Sequence, residues 1–200
     1  MDKRISKIAA AVLLAVASSS AMAMDGNFFV NGEVAGSSAN ISNFQDTTST
    51  AGAVRLGYLW NAGAISWGVE TGYVDLGKVT DDYNQYPFSY PVATQLSITN
   101  RGSMLGSNFK VHFGDSGWFV SSRLGWYHST VHATVSDVWG ASNSTSATGN
   151  GVYAGIGVGY DFNKHAGIAL NYDTYQTNAD GIYNRRFNTG MYGGTFEYRF

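Results

Sequence analysis

From Phe28 to the C-terminus, apolar side chains recur at every second position, and this period of two constrains the fold more than any other feature. Successive residues of a strand point to opposite faces, so each such run reads as a strand with one apolar face. The first sets Phe28, Val30, Gly32 and Val34 against Asn31 and Glu33, and the second sets Val54, Leu56, Tyr58 and Trp60 against Arg55. In the third, Ile65, Trp67, Val69, Thr71 and Tyr73 oppose Ser66, Gly68, Glu70 and Gly72; in the fourth, Leu105, Ser107, Phe109, Val111 and Phe113 oppose Gly106, Asn108, Lys110 and His112. The fifth places Trp118, Val120, Ser122, Leu124 and Trp126 opposite Phe119, Ser121, Arg123, Gly125 and Tyr127. The sixth is a glycine ladder, with Val152, Ala154, Ile156, Val158, Tyr160 and Phe162 opposite Gly151, Tyr153, Gly155, Gly157, Gly159 and Asp161. The seventh sets Ala166, Ile168, Leu170 and Tyr172 against Gly167, Ala169, Asn171 and Asp173, and the last sets Tyr192, Phe196, Tyr198 and Phe200 against Met191, Thr195, Glu197 and Arg199.

The face opposite the apolar one carries Glu33, Arg55, Glu70, Lys110, Arg123, Asp161, Asp173, Glu197 and Arg199. A soluble lipocalin-like barrel would bury its apolar face, and nine ionisable groups have no place in such a dry core. With the apolar face toward lipid and the charges enclosed, all eight segments are satisfied together. Each is long enough to cross a bilayer as a strand of about 9 to 11 tilted residues. The connections alternate. Tight turns fall around Asn61 to Ala64, Gly114 to Gly117 and Asn163 to His165, and long loops around Ser37 to Thr50, Leu76 to Thr94, Ala133 to Asn150 and Gln176 to Phe187. An even number of strands with short turns on one side and long loops on the other predicts an all-β, eight-stranded, antiparallel up-and-down transmembrane β-barrel, its termini on the periplasmic side.

The N-terminus reads as a separate element. Lys3, Arg4 and Lys7 form a basic start, Ile8 to Ala17 an apolar run, and Ala21-Met22-Ala23 a small-residue cleavage site, the pattern of a secretory signal peptide. An apolar run of about ten residues is too short for a spanning helix, which needs about 20. The expected domains are therefore a signal peptide over 1–23 and a barrel over 24–200. Removing Lys3, Arg4 and Lys7 together with Asp2 takes the formal charge from −2 to −4, the wrong sign for a nucleic-acid partner. With Cys 0 the chain offers no disulfide, no thiolate metal site and no lipoprotein anchor. Only 13% of residues are charged, about half the average for soluble domains, as a surface facing lipid requires.

These segments resemble the transmembrane barrel domain of the OmpA and OmpX group of outer-membrane proteins. The likeness is carried by Gly68-Val69-Glu70-Thr71-Gly72-Tyr73-Val74-Asp75-Leu76-Gly77, by the run from Gly151 through Asn163 into Leu170-Asn171-Tyr172, and by the end Phe196-Glu197-Tyr198-Arg199-Phe200. The resemblance implies the outer membrane of a Gram-negative bacterium. It also implies that Phe196, Tyr198 and Phe200 form the signal read by the barrel assembly machinery. OmpA continues into a peptidoglycan-binding domain; here the sequence stops at Phe200, which leans the likeness toward barrel-only relatives, some of them adhesins or surface-protection proteins.

An eight-stranded barrel is just wide enough for side chains to fill, so the four basic and five acidic inward residues are expected to pair into a network that plugs the lumen. A narrow pore gated by those pairs is the competing expectation. Trp60, Trp67, Tyr73, Trp118, Trp126, Tyr160, Tyr172, Tyr198 and Phe200 fall near segment ends, where interfacial girdles sit. Tyr83, Tyr86, Phe88 and Tyr90 crowd one long loop, a composition suited to contacting an extracellular partner, or to packing on itself or on lipopolysaccharide. Arg185-Arg186 in the last loop reads as an ordinary solvated pair. A catalytic nucleophile needs a base on the same face. His128 is followed two later by Thr130 and His132 by Thr134, while Ser129 faces away from His128, which departs from the histidine and serine spacing of the lipid A deacylases. The sequence therefore predicts no enzyme, no cofactor and no metal. It predicts a monomer among outer-membrane lipids and lipopolysaccharide, with a structural, envelope-stabilising or surface-contact role. A pore is the alternative, with lipid A modification behind both.

Overall fold

The computed structural model describes residues 26–40, 48–85, 92–137, 142–178 and 186–200. The segment 1–23, expected from sequence to be a signal peptide, lies outside them. Eight strands follow in order: β1 (Gly26–Ala39), β2 (Thr48–Ala62), β3 (Ile65–Gln85), β4 (Val92–His112), β5 (Trp118–Asp137), β6 (Ser142–Asp161), β7 (Ala166–Asn178) and β8 (Arg186–Arg199). Each pairs antiparallel with its neighbour in sequence, and β8 returns to β1 to close the barrel. Closure leaves the wall without an open sheet edge, as hydrocarbon surroundings demand. At the seam, the Phe200 amide donates to the Phe28 carbonyl at 2.9 Å.

Pairing from Gly26 through Trp60, Trp67, Phe109, Ser122, Ile156, Tyr172 and Tyr192 comes back to β1 at Gly36, a stagger of ten residues. With strands about 4.8 Å apart and about 3.3 Å of rise per residue, that stagger tilts them about 40° to the axis. The apolar stretch of β5 from Trp118 to Trp126 then climbs about 20 Å, close to the height of a membrane barrel's apolar band.

Alternation sorts the side chains as the period of two requires. Val34, Val54, Leu105, Leu124, Ile156 and Leu170 stand outside, while the wall's charged side chains turn in. The tight turns carry the residues that tight reversals need: Gly63, Gly114 and Gly117 hold positive φ of 64°, 56° and 48°. Asn163 Oδ1 accepts from the amides of His165 and Ala166.

Four strands run well past the length that sequence suggests. β3 and β4 have 21 residues and β5 and β6 have 20, so much of the expected loops 76–94 and 133–150 is paired backbone. β1 and β2 extend inside the expected loop 37–50, as do β7 and β8 inside 176–187. Beyond the apolar band the outer face changes to Ser97, Thr99, Arg101 and Ser103 on β4, and to His128, Thr130 and His132 on β5. Water there needs no apolar partner, so the hydrophobic rhythm stops while the hydrogen-bonded ladder continues. β3, β4, β5 and β6 thus form a sheet rising above their neighbours at the loop end. A bulge between Asp75 and Lys78 bends its base, with Gly77 at φ 84°.

Candidate functional site in the barrel lumen

The interior is built in layers. Near the turn end, Phe29, Leu59 and Phe119 are buried beside a first set of charges. Lys110 Nζ meets Glu197 Oε1 at 2.5 Å and lies 4.4 Å above the Phe119 ring. Arg199 bridges Glu197 at 3.4 Å and Asp161, and His112 Nε2 reaches the other oxygen of Asp161 at 2.9 Å.

A second set fills the middle of the lumen. Arg55 from β2 is wholly buried; its Nη1 donates to Glu33 Oε2 at 2.6 Å, and its Nη2 donates to Asp173 Oδ2 at 2.9 Å and to the Tyr175 hydroxyl oxygen at 3.0 Å. Arg123 from β5 approaches the same two carboxylates at 3.8 and 3.4 Å and donates to Asn171 Oδ1 at 3.1 Å. Asn171 in turn donates to Thr195 at 2.6 Å. Two guanidinium groups shared by two carboxylates, with a hydroxyl and an amide among their partners, offset the cost of burying these ions, while Glu33 Oε1, Arg55 Nε and Asp173 Oδ1 have no hydrogen-bond partner among the described residues.

The nine charges named from sequence all sit in the lumen wall, and eight of them are ion-paired. Glu70 differs from the expectation. It forms none of those pairs, and its two oxygens accept instead from the Tyr153 hydroxyl at 2.8 Å and from Asn108 Nδ2 at 3.0 Å. Position decides this: Glu70 faces Gly106 on β4 and Gly57 on β2, which leaves room for Asn108, two residues along β4, and for the Tyr153 hydroxyl from β6 to reach it. A small cavity separates the two charged sets, lined by Asn31, Lys110 and Arg123 together with Phe119, Ile168 and Ala169 among others.

Above the middle set the lumen is closed by rings and apolar groups. Tyr175 packs edge-on to Tyr127 at 5.2 Å and parallel to Tyr153 at 5.9 Å. Tyr127 donates to Asn100, which donates to Thr177. Val74, Leu76, Met104 and Met191 complete this layer, and Val79, Ile98, Val131 and Ala133 fill the next. Parity of alternation places all of these inward except Val79, which the bulge between Asp75 and Lys78 turns in by shifting the alternation of β3, and parity carries no signal for which partner each finds across the barrel. Inward glycines make the room: a Cβ on Gly155 would collide with Asp173 Oδ1, and one on Gly106 or Gly125 with the Tyr153 ring or hydroxyl.

The remaining expectations fall elsewhere. Phe196, Tyr198 and Phe200 point outward near the turn end, where Tyr198 and Phe200 meet edge to face at 5.2 Å. In the same belt Trp60 stacks on Trp67 at 4.6 Å and Trp118 meets Tyr160 at 5.4 Å. Tyr83 lies within β3 opposite Thr94, whereas Tyr86, Phe88 and Tyr90 lie outside the described residues. Arg186 pairs with Asn178 at the start of β8, and Arg185 also lies outside the description. On β5 His128 faces outward, joined to Asn150 at 2.7 Å, while Ser129 is buried inside.

The sequence profile of the family described as outer membrane protein beta-barrel domain matches residues 9–200. No curated protein sequence matches the chain. Among solved structures, OprG from Pseudomonas aeruginosa superposes with a TM-score of 0.52 at 12% identity, over 88% of this chain and 97% of that one. Ail, the attachment invasion locus protein of Yersinia pestis, superposes with a TM-score of 0.51 at 18% identity, over 88% of this chain and 100% of that one. At such identities the likeness is one of fold.

Proposed function

The chain belongs to the outer membrane protein beta-barrel domain family, and from that premise we propose that it is a non-enzymatic, closed barrel that stabilises the envelope and presents its raised sheet for surface contact. The observation that carries this reading is the filled lumen. Arg55, with Glu33, Asp173 and Tyr175 around it, has no exposed surface, and the ring and methionine layer lies directly above. A barrel built this way spends its interior on holding its shape and leaves function to what stands outside it.

On that reading the tight turns lie in the periplasm and the long ends of β3, β4, β5 and β6 rise from the cell. Their outer edges support a contact role. Among the described residues, β6 from Ser142 to Gly149 has no ladder partner on its β7 side, where pairing begins at Tyr153 with Tyr175. Unpaired amides and carbonyls on such an edge are free to add a strand from another chain. The sequence there, Ser142-Asn143-Ser144-Thr145-Ser146-Ala147-Thr148-Gly149, is uncharged, which keeps the edge open to partners of either sign.

Two comparisons test the role. Cells carrying the full chain should resist detergent better than cells lacking it, and should bind an outside surface more than cells whose raised sheet has been trimmed by replacing residues 78–99 with a short turn. Loss of neither property on trimming or deletion would remove the proposal. Mass spectrometry of lipid A from cells with and without the protein should show the same acyl pattern; a changed pattern would make it an enzyme.

A further inference from the structure

The outer wall is not uniformly bulky. On the lipid-facing side a furrow crosses β7, β8 and β1 and opens sideways to Val158, Tyr160 and Trp118 on β6 and β5, and at two places its floor is backbone. Pairing places Leu170 beside Gly194 beside Val34, and one rung lower places Phe196 beside Gly32. A Cβ at Gly32 or at Gly194 would meet nothing within 4 Å, so both positions open onto the furrow, while Leu170 and Phe196, 69% and 54% exposed, stand as its walls. This lower part is almost wholly apolar.

Going up the same three strands, the surface changes character within two rungs. Tyr172 and Tyr192 face each other across the β7–β8 pairing, and beyond them a notch is lined by Ser38, Thr174, Asn40 and Asn188. No charged residue lines it among the described residues. An apolar furrow with two tyrosine rings, hydroxyls and carboxamides at its loop side has the polarity profile of one amphiphile lying against the wall. Rings with an apolar body and a polar tip, beside neutral donors and acceptors, suit the C–H faces and hydroxyls of a sugar. A phosphate would want cations in the same place.

We propose that this furrow is a site for one lipopolysaccharide molecule of the outer leaflet, an acyl chain lying over Gly32 and Gly194 and a sugar of its head entering the notch between Tyr172, Tyr192 and Asn188. The inference rests on the outer-membrane reading above and adds the lipid, its position and its residues.

The test uses the full chain refolded in detergent and placed in phosphatidylethanolamine nanodiscs containing a minor fraction of rough lipopolysaccharide, read by native mass spectrometry. The wild type should retain one lipopolysaccharide per barrel. Gly32→Leu with Gly194→Leu fills the floor without a clash and should retain about tenfold less, the loss equivalent to about two buried methylenes. Tyr192→Ala should lower retention of lipopolysaccharide while leaving phospholipid adducts unchanged. Unheated samples of each variant should still migrate faster on a gel than boiled ones, which shows that the barrel has formed. Equal lipopolysaccharide retention by the wild type and both variants would overturn the site, as would phospholipid adducts in its place or a dimer of the chain joined through this face. A wild type with no heat-shifted band would instead contradict the barrel reading on which the site rests.

Discussion

Arg55 and Glu70 sit in the same lumen and answer differently to substitution. Arg55→Leu would leave Glu33 and Asp173 with only Arg123 nearby, and removing one partner from a buried ion set costs about 3–5 kcal/mol. Urea unfolding of the refolded barrel should show that loss as a lower midpoint. Glu33→Gln should weaken the barrel by a comparable amount, because two guanidinium groups lose the charge they share. Glu70→Gln should cost no more than about 1 kcal/mol. Its partners are neutral, the amide oxygen still accepts from Tyr153, and Asn108 has an unpartnered Oδ1 that a flipped amide turns toward the new Nε2. Equal losses for Glu33→Gln and Glu70→Gln would mean that charge pairing is not what distinguishes the two carboxylates. Gly155→Val belongs with the severe changes, since its Cβ would occupy the place of Asp173 Oδ1.

At the scale of the strand, the bulge in β3 is the joint between wall and raised sheet. Gly77 holds a φ of 84° and a Cβ there would press on Ser49 Oγ and the Thr50 carbonyl, while its amide donates to Asp75 Oδ1 and the Lys78 amide to Ser49 Oγ. Gly77→Val should therefore loosen residues 78–85, seen as faster amide exchange there with the wall from Ile65 to Tyr73 unchanged; uniform exchange along β3 would contradict the joint. The last strand offers a second comparison. Phe200→Ala should refold normally in detergent yet accumulate poorly in the outer membrane of cells, because the aromatic end is proposed to be read during assembly; normal accumulation would reduce Phe196, Tyr198 and Phe200 to lipid contacts. What the sequence made readable at this scale follows from lipid. Wherever hydrocarbon lies outside, as beside Trp118 to Trp126, the apolar alternation marks face and span. Where water lies on the outside, as beside Ser142 to Asn150, pairing persists without that signature, and the ends of β3, β4, β5 and β6 were not legible. In the lumen, parity revealed which residues point inward. The partners of Glu70 and Arg123 were not legible, because they depend on a ten-residue stagger that no single strand encodes.

Along the whole molecule the two surfaces exchange character. In the apolar band, leucine, valine and tryptophan stand outside and the ion sets lie within; toward the loop end the outside turns to serine, threonine and histidine, and the inside to Val79, Ile98, Val131 and Ala133. The upper part thus has the polarity of a soluble sheet, apolar inside and polar outside, and the exchange marks where lipid gives way to water. Such a molecule is closed twice, by ions in the membrane and by rings and apolar groups above it. Single-channel recording of the refolded protein in a planar bilayer, on a sample whose unheated band runs fast, tests that closure most directly. The filled lumen predicts a silent bilayer at all voltages that the membrane withstands. Stable, defined conductance steps would contradict it and make the protein a narrow pore gated by Arg55 and its carboxylates.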